Sequence, residues 1–302
     1  MRVSIIGVSG MLGIALFFHL GDDPNLKVQG IMRKDSLGPS LEALLLRDET
    51  FLVGGVKDLY GERLIEILKE FNPDVIINCV GCRQSPLSIK DTIEMITINS
   101  LWPHTLASLA QKMGARVINI STDAVFSGAR GKYTESCTPS PVGVYGRSKL
   151  LGEINYPNCL TLRTSLIGHV SEDSDQLVDW LIRQKGIVNG YKNAIFSGLP
   201  TIELASIIRR ILLEHKTLEG VYHIASQPIS KYELLKLIVK IYGIEVTVVP
   251  VSEPVYDRSL NAASFFNATG YKPPDWQELV ERMYKFYRSL FVINAGDNHV
   301  RK

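Results

Sequence analysis

The feature that most constrains this chain is an alternation. Short apolar runs occur at Val3–Ile6, Lys27–Met32, Thr50–Val56, Asp74–Val80, Arg116–Ser121 and Cys159–Thr164. Between most of them lie stretches that read as helices, at Met11–Leu20, Gly61–Phe71, Ile89–Met113 and Pro141–Tyr156. In the second of these, Leu64, Ile65, Ile67 and Leu68 recur at helical spacing. A continuous apolar run of strand length implies a strand buried on both faces. Strands of that kind, alternating with helices, pack as one parallel sheet with right-handed crossovers and helices on both sides. Ligands of such sheets sit beyond the carboxyl ends of the strands, where strand order reverses. The informative residues should therefore follow strands.

Beyond Gly168 the pattern loosens. Helices are expected at Ser174–Gln184, Thr201–His215, Lys231–Tyr242 and Trp276–Tyr287. Short strands are expected at Ala194–Phe196, Val221–Ile224 and Glu245–Val249, and Pro250–Pro274 reads as loops and short pieces. The expected organisation is a core over residues 1–168 and a smaller mixed α/β lobe over residues 169–302. That lobe closes over the sheet and is interleaved with the core rather than independent of it. No internal repeat or low-complexity segment is visible.

Composition excludes some classes. Apolar residues make up 45% of the 302 residues and charged residues 21%, the balance of a soluble globular protein. A formal net charge of +2 gives no sign of a nucleic-acid or anionic-membrane partner. The basic end Val300-Arg301-Lys302 reads as a solvated tail. Arg2 and the apolar stretch after it resemble a signal sequence. However, Gly7, Gly10 and Gly13 interrupt it, no small-residue cleavage site follows, and it reads equally well as strand, turn and helix. No other run reaches the ~18 apolar residues of a membrane span. Cys79 and Cys82 form a C-x-x-C, but no further Cys or His pair stands at zinc spacing. With Cys137 and Cys159 they read as reduced thiols, hence a cytoplasmic protein with no bound metal.

Gly7-Val8-Ser9-Gly10-Met11-Leu12-Gly13 lies between the first strand and the first helix. Glycines at this spacing give a tight turn, let backbone approach a pyrophosphate and bring the helix close to the sheet. The helix N-terminus then faces the phosphates. The fold class is therefore a Rossmann-type doubly wound α/β sheet with a smaller C-terminal substrate-binding lobe. Arg33 and Lys34 follow the second strand, where an acid would grip the ribose of NAD. Two cations there favour the 2′-phosphate of NADP(H) over NADH. Asp58 and Leu59 follow the third strand, where they can meet the adenine. Cys79, Val80 and Gly81 follow the fourth, where small residues let the cofactor pass. Asn99, on the long helix, can brace the backbone of the site.

Tyr145 and Lys149 form a Y-x-x-x-K on one helix face. A nearby ammonium stabilises a phenolate and makes the phenol a better proton donor. Lys149 can also hold the nicotinamide ribose. Ser121-Thr122-Asp123 ends the fifth strand just upstream, and a hydroxyl there can bind a substrate carbonyl.

These motifs resemble the extended short-chain dehydrogenase/reductase superfamily, most closely the dTDP-4-dehydrorhamnose reductases. The resemblance rests on Gly7–Gly13, Pro73–Asn78, Ser121–Gly128, Tyr133-Thr134-Glu135, Tyr145–Glu153 and Leu162–Ser165. It is weaker at Gly198–Thr201, Gly220–His223 and Asp257–Asn261. It implies NADPH-dependent reduction of the 4-keto group of a nucleotide-linked 6-deoxyhexulose. In that reaction Thr122 and Tyr145 bind the keto oxygen, Tyr145 donates the proton and Lys149 orients the cofactor. It further places Ser121 beside the cofactor, Asp123 beside the pocket, Leu166 in its wall and Arg258 near the diphosphate, and it implies a homodimer. Leu166 and Ala124 replace aromatic residues of the family, Phe196-Ser197 replaces a polar pair, and Cys79–Cys82 replaces a run of small residues. A UDP- or GDP-linked sugar therefore stays as open as a dTDP-linked one.

Two other readings stand beside this. An epimerase or dehydratase on the same fold needs further acid–base groups. Asp123 has no Glu beside it, and His169 and Cys137 are the candidates for such a role. A non-catalytic NADP-binding regulatory subunit would keep the fold, and the regulatory subunit of methionine adenosyltransferase resembles this family.

Overall fold

The computed structural model describes residues 1–38, 50–83, 88–171 and 174–292. The basic tail at Val300–Lys302 lies outside them. The first half follows the alternation: β1 (Arg2–Ile6), α1 (Met11–Gly21), β2 (Lys27–Ile31), β3 (Thr50–Val53), α2 (Glu62–Phe71), β4 (Val75–Asn78), α3 (Ile89–Ile96), α4 (Trp102–Met113), β5 (Arg116–Thr122), α5 (Gly143–Leu151) and β6 (Cys159–Thr164). The second half adds β7 (Leu166–Ile167), α6 (Leu177–Ile182), β8 (Gly186–Tyr191), β9 (Ala194–Phe196), β10 (Leu199–Pro200), α7 (Thr201–Glu214) and β11 (Gly220–His223). It ends with β12 (Ile229–Ser230), α8 (Lys231–Tyr242), β13 (Val246–Val251), β14 (Tyr256–Asp257), α9 (Ala263–Thr269) and α10 (Trp276–Tyr287).

The central sheet has seven strands in the order β11-β6-β5-β4-β1-β2-β3, all parallel. Order reverses at β1, which pairs with β2 on one side and β4 on the other. Alternation within each strand feeds two cores. Val3 and Ile5 of β1 and Val75 and Ile77 of β4 pack with Leu16, Phe17 and Leu20 of α1 and with Ile208 and Ile211 of α7. Ile6 and Ile76 face the other way, onto Leu64 and Leu68 of α2 and Trp102 and Leu106 of α4. These side chains are essentially fully buried, and each such Leu, Ile or Phe stabilises the fold by roughly 1.5–3 kcal/mol.

The seventh strand comes from residues 220–223, aligned with β6 from Gly220 opposite Leu160 to His223 opposite Arg163. A strand from the second half of the chain thus completes the sheet. The second half also carries small pairings, β13 with β8, β12-β9-β14, and β10 with β7.

Two expected helices differ. The Pro141–Tyr156 helix is confined to Gly143–Leu151. The long Ile89–Met113 helix is interrupted by a π-helical turn at Thr97–Leu101. Pro103 has no amide hydrogen to give the carbonyl of Asn99, four residues earlier, so a continuous ladder cannot form there. The chain fills that gap with a bare backbone: a Cβ added at Gly152 would lie 1.8 Å from the Asn99 oxygen.

Candidate active site

The glycine loop is built for a close approach. The amides of Gly7 and Val8 both donate to the Ile31 carbonyl, at 2.8 and 3.1 Å, tying the loop to the end of β2. A Cβ at Gly13 would stand 2.2 Å from the Gly7 carbonyl oxygen, so only glycine lets α1 start this near the sheet. Gly10 caps α1 with no side-chain hydrogen bond, and the first turn holds no acid. Amides of the Ser9, Met11 and Leu12 region are therefore left to meet an anion. Arg33 and Lys34 are exposed directly beyond β2, on the same side of the sheet as this loop. Asp58 accepts the Tyr60 amide at 2.8 Å and is exposed ahead of α2, with Leu59 half-buried beside it. A pyrophosphate cradle with cations beyond the neighbouring strand fits a dinucleotide.

After β4 the chain turns past the loop. The Cys79 amide donates to Ile6 at 2.9 Å, and that of Val80 to the Asn78 side chain at 3.3 Å. Asn99 then clamps the segment. Its Oδ1 accepts the Cys82 amide at 2.8 Å, and its Nδ2 donates to the Cys82 carbonyl at 2.7 Å and to Ser148 Oγ at 3.0 Å. Asn99, in the π-turn, thus joins the β4 loop, which includes Gly81, to the helix of Tyr145 and Lys149. All four cysteines are free thiols, and burial pushes that of Cys79 up to about 12.

Thr122, at the end of β5, lies beside Tyr145, in the first turn of α5. Thr122 Oγ1 also donates to Asp123 Oδ1 at 3.3 Å and accepts the Ala124 amide at 3.2 Å. Burial raises the Asp123 carboxyl to about 6, against the pull of Arg258, Thr122, Lys231 and Ser165. The Tyr145 phenol lies above its ordinary value, raised by burial and Asp123 and partly offset by Thr122 and Arg83. Tyr145 is therefore a protonated phenol, equipped to give a proton. The cation lowering it is Arg83 rather than the expected Lys149. Lys149 Nζ donates to the Ile120 carbonyl at 2.7 Å, and burial lowers it to about 8 against the pull of Glu153 and Cys79.

Strand alternation turns Ser121 the other way. Its hydroxyl donates to Glu153 Oε1 at 2.6 Å. Arg163 holds the same buried carboxylate with two hydrogen bonds, at 2.8 and 2.7 Å, and reaches His223 Nε2 at 3.2 Å. Ser121 is committed to this buried network. His169 is tied to Asp179 at 2.6 Å and Tyr242 at 2.9 Å, and stacks on Tyr287. Cys137 receives hydrogen bonds from Arg130 and Thr134. Leu166, in β7, pairs with Leu199 and is half-buried.

Arg258, just past β14, lies over the Tyr256 ring at 5.2 Å, and its buried Nε has no hydrogen-bond partner among the described residues. Sequence reasoning missed Lys231, Arg83, Tyr256 and Glu153. The two cations and the tyrosine carry no motif spacing, and Glu153 was quoted only within the resemblance.

A hydroxyl, a phenol and a lysine at the mouth of a parallel sheet, next to a dinucleotide cradle, define a short-chain dehydrogenase/reductase of the extended type. More narrowly, residues 1–289 match the model of the RmlD substrate binding domain family, and the chain belongs to that family. It is 25% identical to a dTDP-4-dehydrorhamnose reductase of Sinorhizobium fredii, over 94% of this chain and 96% of that one. It is 28% identical to the methionine adenosyltransferase 2 subunit beta of Danio rerio, over 83% of this chain and 77% of that one. A crystal structure of dTDP-4-dehydrorhamnose reductase from Bacillus anthracis in complex with NADP superposes with a TM-score of 0.75 at 25% identity, covering 94% of this chain and 99% of that one.

Proposed function

We propose that the protein is a cytoplasmic NADPH-dependent reductase of the 4-keto group of a nucleotide-linked 6-deoxyhexulose, making an activated deoxysugar for cell-surface polysaccharide. The observation that carries this reading is the meeting of the Thr122 hydroxyl, the protonated Tyr145 phenol and the Asp123 carboxyl at the end of β5. The Gly7–Gly13 loop would hold the pyrophosphate, Arg33 and Lys34 the 2′-phosphate, Asp58 and Leu59 the adenine, and Lys149 the nicotinamide ribose. The Bacillus anthracis reductase binds NADP, which supports NADPH over NADH. Bound NADPH supplies the hydride. Thr122 donates a hydrogen bond to the keto oxygen, and Tyr145 gives that oxygen its proton as it becomes a hydroxyl. Arg258 would meet the diphosphate, and Leu166 would form part of the sugar wall.

The test follows absorbance loss of NADPH with a panel of dTDP-, UDP- and GDP-linked 4-keto-6-deoxy sugars. Oxidation with one member is expected, and failure to bind NADPH overturns the reading. The resemblance to the methionine adenosyltransferase subunit supports a second reading, a binding subunit without turnover. Tyr145→Phe separates the two. A reductase loses roughly 10²–10⁴-fold in turnover while still binding NADPH, whereas a binding subunit has no turnover to lose.

A homodimer belongs to the same proposal. Ile89, Ile93, Ile96 and Leu101 on the α3 side, and Val142, Val144 and Leu151 around the adjoining α5, expose apolar surface. Light scattering is expected to give twice the chain mass, and a monomer at working concentration would remove the dimer. Among the described residues no helix is long and apolar enough to cross a membrane.

A further inference from the structure

We propose that Lys231 is a substrate-anchoring residue that works with Arg258 to grip the phosphate joining nucleotide to sugar. The inference rests on the reading of the substrate as a nucleotide-linked sugar.

Lys231 opens α8, and its first turn is fixed by Ser230, whose hydroxyl accepts the Glu233 amide at 3.1 Å. Its ammonium stands 6.0 Å from the centre of the Phe196 ring. Among the described residues it makes no hydrogen bond or ion pair, although it is half-buried. A lysine drawn partly out of water without a partner gains nothing for its desolvation and is rarely kept for stability. The charges near it do not repair the deficit. Arg83 and Arg258 both act on Lys231 as like charges, and among the described residues the carboxylate acting on it is Asp123. Asp123 in turn feels Arg258 more strongly than it feels Lys231. Lys231 and Arg258 therefore share one acid, and the Arg258 guanidinium brings a buried nitrogen that has no hydrogen-bond partner among the described residues. A diphosphate carries about two negative charges and several acceptor oxygens, which balances this excess and satisfies both groups.

The order of the charges locates the contact. Asp123 is hydrogen-bonded to Thr122, beside Tyr145, and it is felt in turn by Lys231 and Arg258. A hexose whose keto carbon faces Tyr145 would carry its anomeric phosphate toward the two cations. Phe196 is the residue that replaces a family polar side chain, and here it supports the lysine.

The experiment titrates UDP, dTDP and GDP by calorimetry into NADPH-loaded wild type, Lys231→Met and Lys231→Arg, with uridine, thymidine and guanosine as phosphate-free controls. Lys231→Met is expected to weaken the preferred diphosphate at least tenfold, to leave the matching nucleoside within twofold, and to bind NADPH as wild type does. Lys231→Arg should recover most of the affinity. Equal diphosphate affinity in Lys231→Met and wild type overturns the role of Lys231 alone. If wild type binds none of the three diphosphates, the nucleotide-sugar reading falls and the inference with it. If Lys231→Met also fails to bind NADPH, the decision passes to Lys231→Arg: diphosphate affinity near wild type sustains the role, and an equal loss for diphosphates and nucleosides refutes it.

Discussion

Asp123→Asn should make this protein more stable at neutral pH and poorer at its reaction. Asparagine approximates the protonated acid in size and charge, so it removes only the cost of ionisation. Burial is the chief cause of that cost, and Arg258, Thr122, Lys231 and Ser165 offset it incompletely, leaving the carboxyl at about 6 instead of 3.8. A raised acid binds its proton more tightly folded than unfolded. Wild-type stability should therefore fall, relative to the variant, as pH rises from 3.8 through about 6. At about 1.4 kcal/mol per pH unit the full penalty is about 3 kcal/mol, and the half-open mouth of the site reduces it to about 1–3 kcal/mol. Urea unfolding of both proteins near pH 7.5 and pH 4 measures the gap. The variant should lead at the higher pH, and the lead should shrink to less than about 0.5 kcal/mol at the lower. A gap that does not change with pH, or a variant less stable near pH 7.5, would show that ionised Asp123 is not held at a cost and refute the reasoning.

Three further outcomes follow from the same geometry. Glu153→Ala leaves Arg163 buried without its carboxylate and should cost about 3–5 kcal/mol in urea unfolding; a loss below about 1 kcal/mol would contradict the network. Gly13→Ala pushes a methyl into the Gly7 carbonyl and should destabilise by about 1–3 kcal/mol and weaken NADPH binding, read by thermal shift with and without cofactor. Replacing Arg33 and Lys34 together by alanine should raise the NADPH dissociation constant at least tenfold with NADH little changed, and equal losses for both cofactors would separate these cations from the 2′-phosphate.

The parts of the fold legible in the sequence are those fixed by burial on both faces. β1, β4, β5 and β6 are nearly or wholly buried and read as apolar runs. β8, Gly186–Tyr191, was missed because it is largely exposed and holds two glycines and an asparagine. α9 was hidden in the segment read as loops up to Pro274. The place of β11 beside β6 is a pairing across about sixty residues, which no local pattern records. In the site, motif spacing brought Thr122, Tyr145 and Lys149 to the end of β5 and the start of α5. It could not tell that Ser121, one residue before Thr122, turns to Glu153 on the opposite face. The π-turn was signalled by Pro103 within a helical pattern, a residue that forbids the fourth-residue bond to Asn99. Lys231 and Arg83 had no signal, because an isolated cation in sequence is read as solvated surface.

The late arrival of β11 has a consequence for biosynthesis. Until residues 220–223 leave the ribosome, β6 presents a fully buried-type edge with no neighbour on one side. An uncovered apolar edge strand is a template for pairing with another chain. A truncation after the catalytic motifs, at residue 168, should therefore aggregate rather than yield a small cofactor-binding domain. The two halves of the chain are obliged to mature together, so insertions that lengthen the path between β6 and β11 would be tolerated by the finished enzyme more readily than by the nascent chain.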